Sequence, residues 1–432
     1  MVFFKKIKIK FLKESFIKKI TIVAGGTALG HVIGVLVSPI LTRLFSPEEF
    51  GIFSVFTSFG GMLVSFACLA YERAIPIPEE EEDSLALGFV SIFLSLLIGG
   101  LLLIVLIVLK SIKLDIKVIN QLGFYAYLLP FFVISLGIYQ VFTCLAIRFD
   151  RFKDLARTRV WQKTLGATTQ IVGGIAGMGT FALILGGMIG QGGGSWYLKK
   201  KIIGKGFYRV KEISHKKMLF VLKRYKNFPL LSAPAALMNV AANNLVPIFL
   251  LAFYGGEVAG FFALGQRVIQ TPLSFISQAV SQVYVREVTK LKYTNPQALL
   301  PLLYVTTKRL AMVGFFPCAI LVFGGVKLFT LIFGSQWYEA GVYVQILAIL
   351  EYVRFIVSPL SQLNALEKQM TVFVWNLLRI IGVLLSFSAS SFFDVTPIRS
   401  LSFYVTVMVF LFILNYLLFR KAIINLINDS DF

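Results

Sequence analysis

The chain has 432 residues, of which 57% are hydrophobic and only 15% charged, with 42 phenylalanines and a mean hydropathy of +0.81. A soluble domain is about 45–50% apolar and about 25% charged, so the composition excludes a soluble enzyme on a single anchor, and it excludes disorder as well. The net charge of +21 comes from 42 Lys and Arg against 21 Asp and Glu; in a soluble protein this would suggest nucleic acid, but here the excess has to be read relative to membrane spans, and no nucleic-acid partner is expected.

A membrane helix needs about 20 apolar residues. Hydropathy predicts twelve spans: 20–42, 50–71, 85–109, 119–146, 160–177, 180–198, 228–252, 260–285, 302–325, 341–364, 371–393 and 400–419. The lysine-rich stretch before Ile20 has the look of a signal peptide. The apolar run after it is long and has no clear small-residue cleavage site, so an uncleaved first span is predicted. A basic connection over 199–227 separates an amino-terminal six-helix lobe (1–198) from a carboxy-terminal six-helix lobe (228–432). With the amino terminus inside, 33 Lys and Arg fall in cytoplasmic segments, six outside and three within spans. That asymmetry predicts a multi-pass protein with both termini cytoplasmic, the 199–226 loop acting as an orientation signal at an anionic lipid surface.

A weak repeat supports two lobes of one orientation. Pro39-Ile40 recurs as Pro247-Ile248 and Glu49 as Glu257, both at an offset of 208; Gly51 and Gly260 open spans 2 and 8 at 209. The expected fold is therefore an all-α polytopic membrane protein, about 12 transmembrane helices in two six-helix lobes around a central cavity, as in parallel-repeat transporters.

Polar residues at helical spacing mark one face of a span. Span 1 carries Thr27, His31, Gly34 and Ser38. Span 2 carries Ser54, Ser58, Gly61 and Ser65, and span 7 carries Ser232, Asn239 and Asn243. Span 8 carries Arg267, Gln270, Ser274, Ser277 and Ser281. Such stripes line a wet cavity or pack helix on helix. The cavity reading makes His31, Asn239, Asn243, Arg267, Gln270 and Ser274 the substrate-binding candidates. Arg267 lies roughly 10 Å below the outer surface at 1.5 Å per residue, where an unpaired guanidinium facing lipid costs at least a few kcal/mol. Its planar fork suits a phosphate; snorkelling or pairing with a carboxylate is the structural alternative. In span 10, Glu351 and Arg354 are three residues apart and close enough to neutralise each other, as a structural ion pair or as part of a coupling relay. Arg379 in span 11 has no acidic residue within a helical turn, so its partner comes from another helix.

Catalytic and cofactor signals are missing from the sequence. Cys68, Cys144 and Cys318 are far apart with no metal-site spacing. The glycines at 186–194 are not followed by the Lys-Ser/Thr of a phosphate loop, and no HExxH or nucleophile elbow occurs. No cofactor, no metal and no enzymatic activity are expected.

Several stretches are similar to bacterial polysaccharide flippases. Leu41-Thr42-Arg43-Leu44-Phe45-Ser46-Pro47-Glu48-Glu49-Phe50-Gly51 resembles the connection between their first two helices. Phe262-Ala263-Leu264-Gly265-Gln266-Arg267-Val268, with Pro272-Leu273, resembles their eighth helix. Phe333-Gly334-Ser335-Gln336-Trp337-Tyr338-Glu339-Ala340-Gly341 resembles the entry to their tenth, and Ser358-Pro359-Leu360-Ser361 follows as in that family. The family is the polysaccharide transporter branch of the multidrug/oligosaccharidyl-lipid/polysaccharide superfamily, which includes O-antigen (lipopolysaccharide) and capsule flippases. The resemblance implies alternating access in the bacterial cytoplasmic (inner) membrane and, as substrate, an undecaprenyl-diphosphate-linked oligosaccharide whose diphosphate meets Arg267. Implied partners are membrane lipids, a proton or sodium gradient, and the polymerase and glycosyltransferases of the same pathway. The rival readings are a drug/cation antiporter of the same superfamily and, further off, a membrane polysaccharide polymerase or ligase.

Overall fold

The structure, a computed structural model, describes residues 25–26, 28–30, 32–112, 114–203, 214–366 and 368–430. The described residues are helical almost throughout and contain no strand. Among the described residues, twelve helices lie along the predicted segments in order, of which fewer are long and apolar enough to count as spans. The first six are α1 (Ala28–Leu44), α2 (Pro47–Ala67), α3 (Glu81–Ser111), α4 (Leu129–Arg148), α5 (Phe152–Ile175) and α6 (Thr180–Gly192). The second six are α7 (Ala233–Tyr254), α8 (Gly256–Thr294), α9 (Leu299–Phe333), α10 (Tyr338–Val357), α11 (Gln369–Phe392) and α12 (Pro397–Ser430).

Among the described residues, eight helical segments are long and apolar enough to cross a membrane: those of α2, α3, α4, α7, α9, α10, α11 and α12. The other four depart from that pattern for local reasons. The described part of α1 is only 17 residues long (Ala28–Leu44), and α6 has 13 residues. The first half of α5 carries Lys153, Asp154, Arg157, Arg159 and Lys163, and α8 runs on through Arg286, Glu287, Lys290 and Lys292. The fold is that of an all-α multi-pass membrane protein.

The helices sort small residues from large ones by face. On α3, Ser84, Gly88, Ser91, Ser95 and Gly99 form a buried stripe, while Leu97, Leu101, Ile104 and Val108 are exposed on the other side. A methyl added at Gly99 would lie 2.4 Å from Ile134 of α4. In lipid, burial of apolar surface no longer drives helices together; close packing through small residues does, and the large side chains face the hydrocarbon.

The chain groups into two compact units. One comprises Met1–Leu44 with Phe56–Val240, the other Phe45–Val55 with Ala241–Phe432. In the first unit, α5 and α6 meet through glycine: a Cβ on Gly166 would sit 2.7 Å from the Gly186 carbonyl. Gln162 and Gln170, buried on α5, donate to the backbone carbonyls of Gln191 (3.0 Å) and Leu183 (3.1 Å), both on α6. A short helix, His215–Arg224, is tied to the start of α3. Lys217 Nζ lies 3.1 Å from Glu80, 2.7 Å from Glu82 and 3.3 Å from Asp83, and these carboxylates, Glu82 foremost, hold its ammonium above the ordinary lysine range. The Tyr71 hydroxyl donates to Leu222 O at 3.1 Å.

In the second unit the beginning of α2 is fixed by reciprocal capping. Ser46 N–H donates to Glu49 Oε2 (2.8 Å) and Glu49 N–H to Ser46 Oγ (3.3 Å), with Pro47 between them. This satisfies donors that open a helix, and Glu48 and Glu49 favour its positive end. Gly51 and Gly260 then bring α2 and α8 into backbone contact. A Cβ on Gly51 would fall 1.8 Å from Gly256 O, and one on Gly260 1.8 Å from Pro47 O. Phe50 and Phe261 pack edge-on against Trp337, at 5.2 and 6.2 Å between ring centres. Trp337 is fully buried, in the turn Ser335–Trp337 before α10.

Candidate functional site

Four helices of the second unit place polar side chains around one pocket. Asn243 comes from the middle of α7, Arg354 from the last turn of α10, Arg379 from α11 and Asn415 from α12; Trp375 and Phe412 complete its apolar side. The cavity is about 270 Å³, just below the roughly 300–1,000 Å³ usual for ligand pockets. Asn243 Oδ1 accepts from two guanidiniums at once, Arg354 Nη2 at 2.5 Å and Arg379 Nη2 at 2.6 Å. Arg354 Nη1 also bonds Glu351 Oε1 at 3.1 Å, three residues back on α10. Arg354 lies over the Phe412 ring (5.7 Å) and Arg379 over the Trp375 ring (5.9 Å). Ring faces orient the planar cations, and the shared amide sets their spacing.

The charges in this cluster do not balance. Two guanidiniums meet one carboxylate among the described residues, and three residues of the pocket wall each carry a polar atom that is closed off from the cavity and has no hydrogen-bond partner among the described residues: Arg379 Nε, Asn415 Oδ1 and Ser361 Oγ. Arg379 and Asn415 are 6% and 5% exposed. Buried polar groups in folded proteins are nearly always satisfied. Guanidinium and amide groups around such a cavity can donate to and accept from a polar ligand.

A second pocket, about 490 Å³, lies in the first unit, lined by Glu72, Arg73, Tyr139, Arg159, Gln162 and Lys163 among others. Glu72 is buried, with Oε1 3.6 Å from Arg73 Nε and Oε2 without a hydrogen-bond partner. Burial pushes its carboxyl up from the ordinary range. No group of three or more His, Cys, Asp or Glu that could hold a metal occurs among the described residues.

Of the residues singled out from sequence, the structure brings Asn243, Glu351 and Arg354 together. Asn239 is exposed, one turn before Asn243 on α7. Arg267 is half-buried about three turns into α8, and Gln270 and Ser274 follow on the same helix; none of the three lines the second unit's pocket. Ser274 Oγ donates to Thr271 O at 2.7 Å. Lower on α8, Ser281 Oγ accepts from Gln362 at 2.9 Å, tying that helix to the loop after α10. His31 lies outside the described residues. Asn415 and Trp375 were not among the sequence candidates. A lone amide in the apolar run of α12 was the signal for Asn415, and the four-residue step from Trp375 to Arg379 was the signal for the tryptophan.

Comparison with known proteins adds independent findings. The family described as "Polysaccharide biosynthesis protein" matches residues 40–342. The teichuronic acid biosynthesis protein TuaB of Bacillus subtilis is 28% identical over 172 residues, covering 40% of this chain and 35% of TuaB, so the match spans about a third of that relative. Among solved structures, the lipid II flippase MurJ in an inward closed conformation superposes with a TM-score of 0.66 at 14% identity, covering 94% of this chain and 90% of MurJ. An inward-facing MATE multidrug transporter of the MOP superfamily gives 0.65 at 15% identity, covering 95% and 99%. These likenesses establish the MATE/MurJ-like fold.

Proposed function

From its membership of the polysaccharide biosynthesis protein family, to which this chain belongs, we propose that it is a flippase for an undecaprenyl-diphosphate-linked oligosaccharide. It moves the repeat unit from the inner to the outer leaflet of the bacterial cytoplasmic membrane, by alternating access, for assembly of a surface polysaccharide. The observation that carries this reading is the excess of cations within the spans. Arg267, Arg354 and Arg379 lie in α8, α10 and α11, and Arg354 is paired with Glu351 at 3.1 Å. Burying guanidinium is costly, and the cost is sensible where the cargo is anionic. A drug/cation antiporter calls for the opposite sign. The MurJ-like fold supports a lipid-linked cargo, and the gradient that drives the cycle is a proton or sodium gradient.

The test is export. Cells lacking the protein should accumulate lipid-linked oligosaccharide in the inner leaflet and lose surface polymer, and the wild-type gene should restore it. Arg267→Ala should strongly reduce export while the protein still reaches the membrane, and Arg267→Lys should keep part of it, because the charge remains while the fork is lost. Undiminished surface polymer in the deletion strain would overturn the flippase reading. Normal export by Arg267→Ala at native expression would remove Arg267 from the substrate path.

A further inference from the structure

Another cavity, about 630 Å³, lies in the first unit at the carboxy-terminal end of α3, where the chain turns towards α4. Its floor is apolar: Leu106 and Ala126 are buried, and Leu109 and Ile119 are half-buried. Its mouth is polar, with Lys110, Asp115 and Asn120 exposed and Tyr127 half-buried beside them. Lys110 stands in the last turn of α3, directly after the apolar run of a helix long enough to cross a membrane. That helix also exposes Leu101, Ile104 and Val105. The end of such a run marks the boundary between hydrocarbon and water, so the floor lies at acyl-chain depth and the charged mouth at headgroup depth. Both charges are held in place. Lys110 Nζ lies 5.5 Å from the centre of the Tyr127 ring, whose face orients the ammonium. Asn120 Nδ2 donates to Asp115 Oδ1, which fixes the carboxylate and leaves its second oxygen to accept elsewhere. The turn between them is closed by Leu114 N–H donating to Leu109 O at 3.1 Å and Ile116 N–H to Leu114 O at 3.0 Å.

Opposite charges at one mouth, above an apolar floor, define the occupant. Lys110 and Asp115 line the same cavity without an ion pair between them among the described residues. A free anion, or a lipid with an anionic head, meets the carboxylate as well as the lysine. A small cation meets the lysine as well as the carboxylate. A sugar head answers the polar groups through its hydroxyls and leaves both charges uncompensated. A lipid whose head carries a phosphate and an ammonium answers every part. Its phosphate accepts from Lys110 and its ammonium donates to Asp115. Its glycerol and first acyl carbons cover Leu106, Leu109 and Ile119. The volume falls within the roughly 300–1,000 Å³ usual for small-molecule sites. We propose that this cavity binds one zwitterionic phospholipid of the phosphoethanolamine class, taken from the leaflet that borders the turn between α3 and α4. The lipid is a resident ligand of the first unit and not the cargo, so the assignment holds independently of the flippase reading.

The experiment titrates the purified full-length protein, in a nonionic detergent, with three lipids of identical dioleoyl chains: phosphatidylethanolamine, phosphatidylglycerol and a glucosyl diacylglycerol. Native mass spectrometry counts the lipids bound and gives the affinity of the tightest site. Identical chains cancel the contribution of general apolar contact, so the headgroup preference and its loss in variants are the readout. Phosphatidylethanolamine should bind the tightest site at least about threefold better than either of the others, the weight of an exposed ion pair. Lys110→Gln and Asp115→Asn should each remove that preference. Asp115→Lys, which leaves two cations at the mouth, should reverse it in favour of phosphatidylglycerol. Leu106→Trp fills the floor and should remove the site for all three lipids. If Leu106→Trp does not accumulate, the three substitutions at the mouth decide the question, since Lys110 and Asp115 are exposed. Equal binding of phosphatidylethanolamine and phosphatidylglycerol by the parent protein overturns the assignment, and so does a preference that neither Lys110→Gln nor Asp115→Asn alters. Tighter binding of the glucosyl lipid also overturns it, and makes the cavity a glycolipid site.

Discussion

Replacing Asn243 by leucine removes one oxygen and uncouples two cations. The side chains are close in size, so the perturbation is chiefly the loss of the acceptor shared by Arg354 Nη2 and Arg379 Nη2, at 2.5 and 2.6 Å. The two arginines should suffer unequally. Arg354 keeps Glu351 at 3.1 Å with its side chain 18% exposed, so its share of the loss is about 1 kcal/mol. Arg379 is 6% exposed, and its Nε has no hydrogen-bond partner among the described residues. A buried charged donor left unsatisfied costs about 2–3 kcal/mol. The total is about 3–4 kcal/mol. With an unfolding entropy of about 2.1 cal/mol/K per residue, a chain of 432 residues converts that to a fall in Tm of roughly 4 °C. Thermal melting of the detergent-purified protein measures it. Asn243→Asp is the companion variant: it keeps the acceptor, adds the missing negative charge, and should melt well above the leucine variant. A leucine variant that melts within 1 °C of the parent, or an aspartate variant as unstable as the leucine one, would refute the claim that this oxygen organises the pair.

Gly260→Ala should lower Tm sharply and reduce the amount of protein in the membrane, because its methyl would fall 1.8 Å from Pro47 O and overpacking of this kind costs about 1–3 kcal/mol or more; Gly61→Ala, with nothing within 4 Å, is the silent control. Glu72→Gln should raise Tm at neutral pH. Burial raises the folded-state carboxyl above its ordinary value of 4.5, so the stability from the neutral form is present below about pH 4.5 and is lost as pH rises through the raised value; melting curves of parent and variant should converge near pH 4. Lys217→Glu should free the helix His215–Arg224 from Glu80, Glu82 and Asp83 and speed proteolysis of the 199–226 loop, and Glu82→Lys in the same chain should slow it again.

The spans of α2, α3, α4, α7 and α9 to α12 were legible because a lipid-facing helix needs a long apolar run, and the exposed leucines of α3 lie on one. The close approach of Gly51 and Gly260 was visible only as a repeat offset; the sequence did not say that the two glycines touch. The Glu351–Arg354 contact was readable because both residues sit on one helix face. Arg379 was different. Its partner on α7 lies 136 residues earlier and is an amide, which no charge-pairing rule would select. The Lys217 cluster joins residues more than 130 positions apart. The loop lysines read from sequence only as an orientation signal, and the acidic run at the start of α3 only as favourable to a helix terminus. Polar residues that serve one another across helices carry no local signature, and the pocket of the second unit is built from those.

The seat of Trp337 also sets an order of events during synthesis. Phe50 and Gly51 leave the ribosome early, but the surfaces they fit, at Gly256, Gly260 and Trp337, follow some 205 to 287 residues later. At about 5–20 residues per second, the first turns of α2 wait roughly 10–60 s for their partners. During that interval its aromatic and glycine face is open to lipid, to the translocation machinery and to other nascent chains, and a stalled or truncated product ending before α8 would keep it open indefinitely. The last contact to form at this hub depends on one of the first segments made, so completion of the carboxy-terminal unit reports on the integrity of the amino-terminal end of α2.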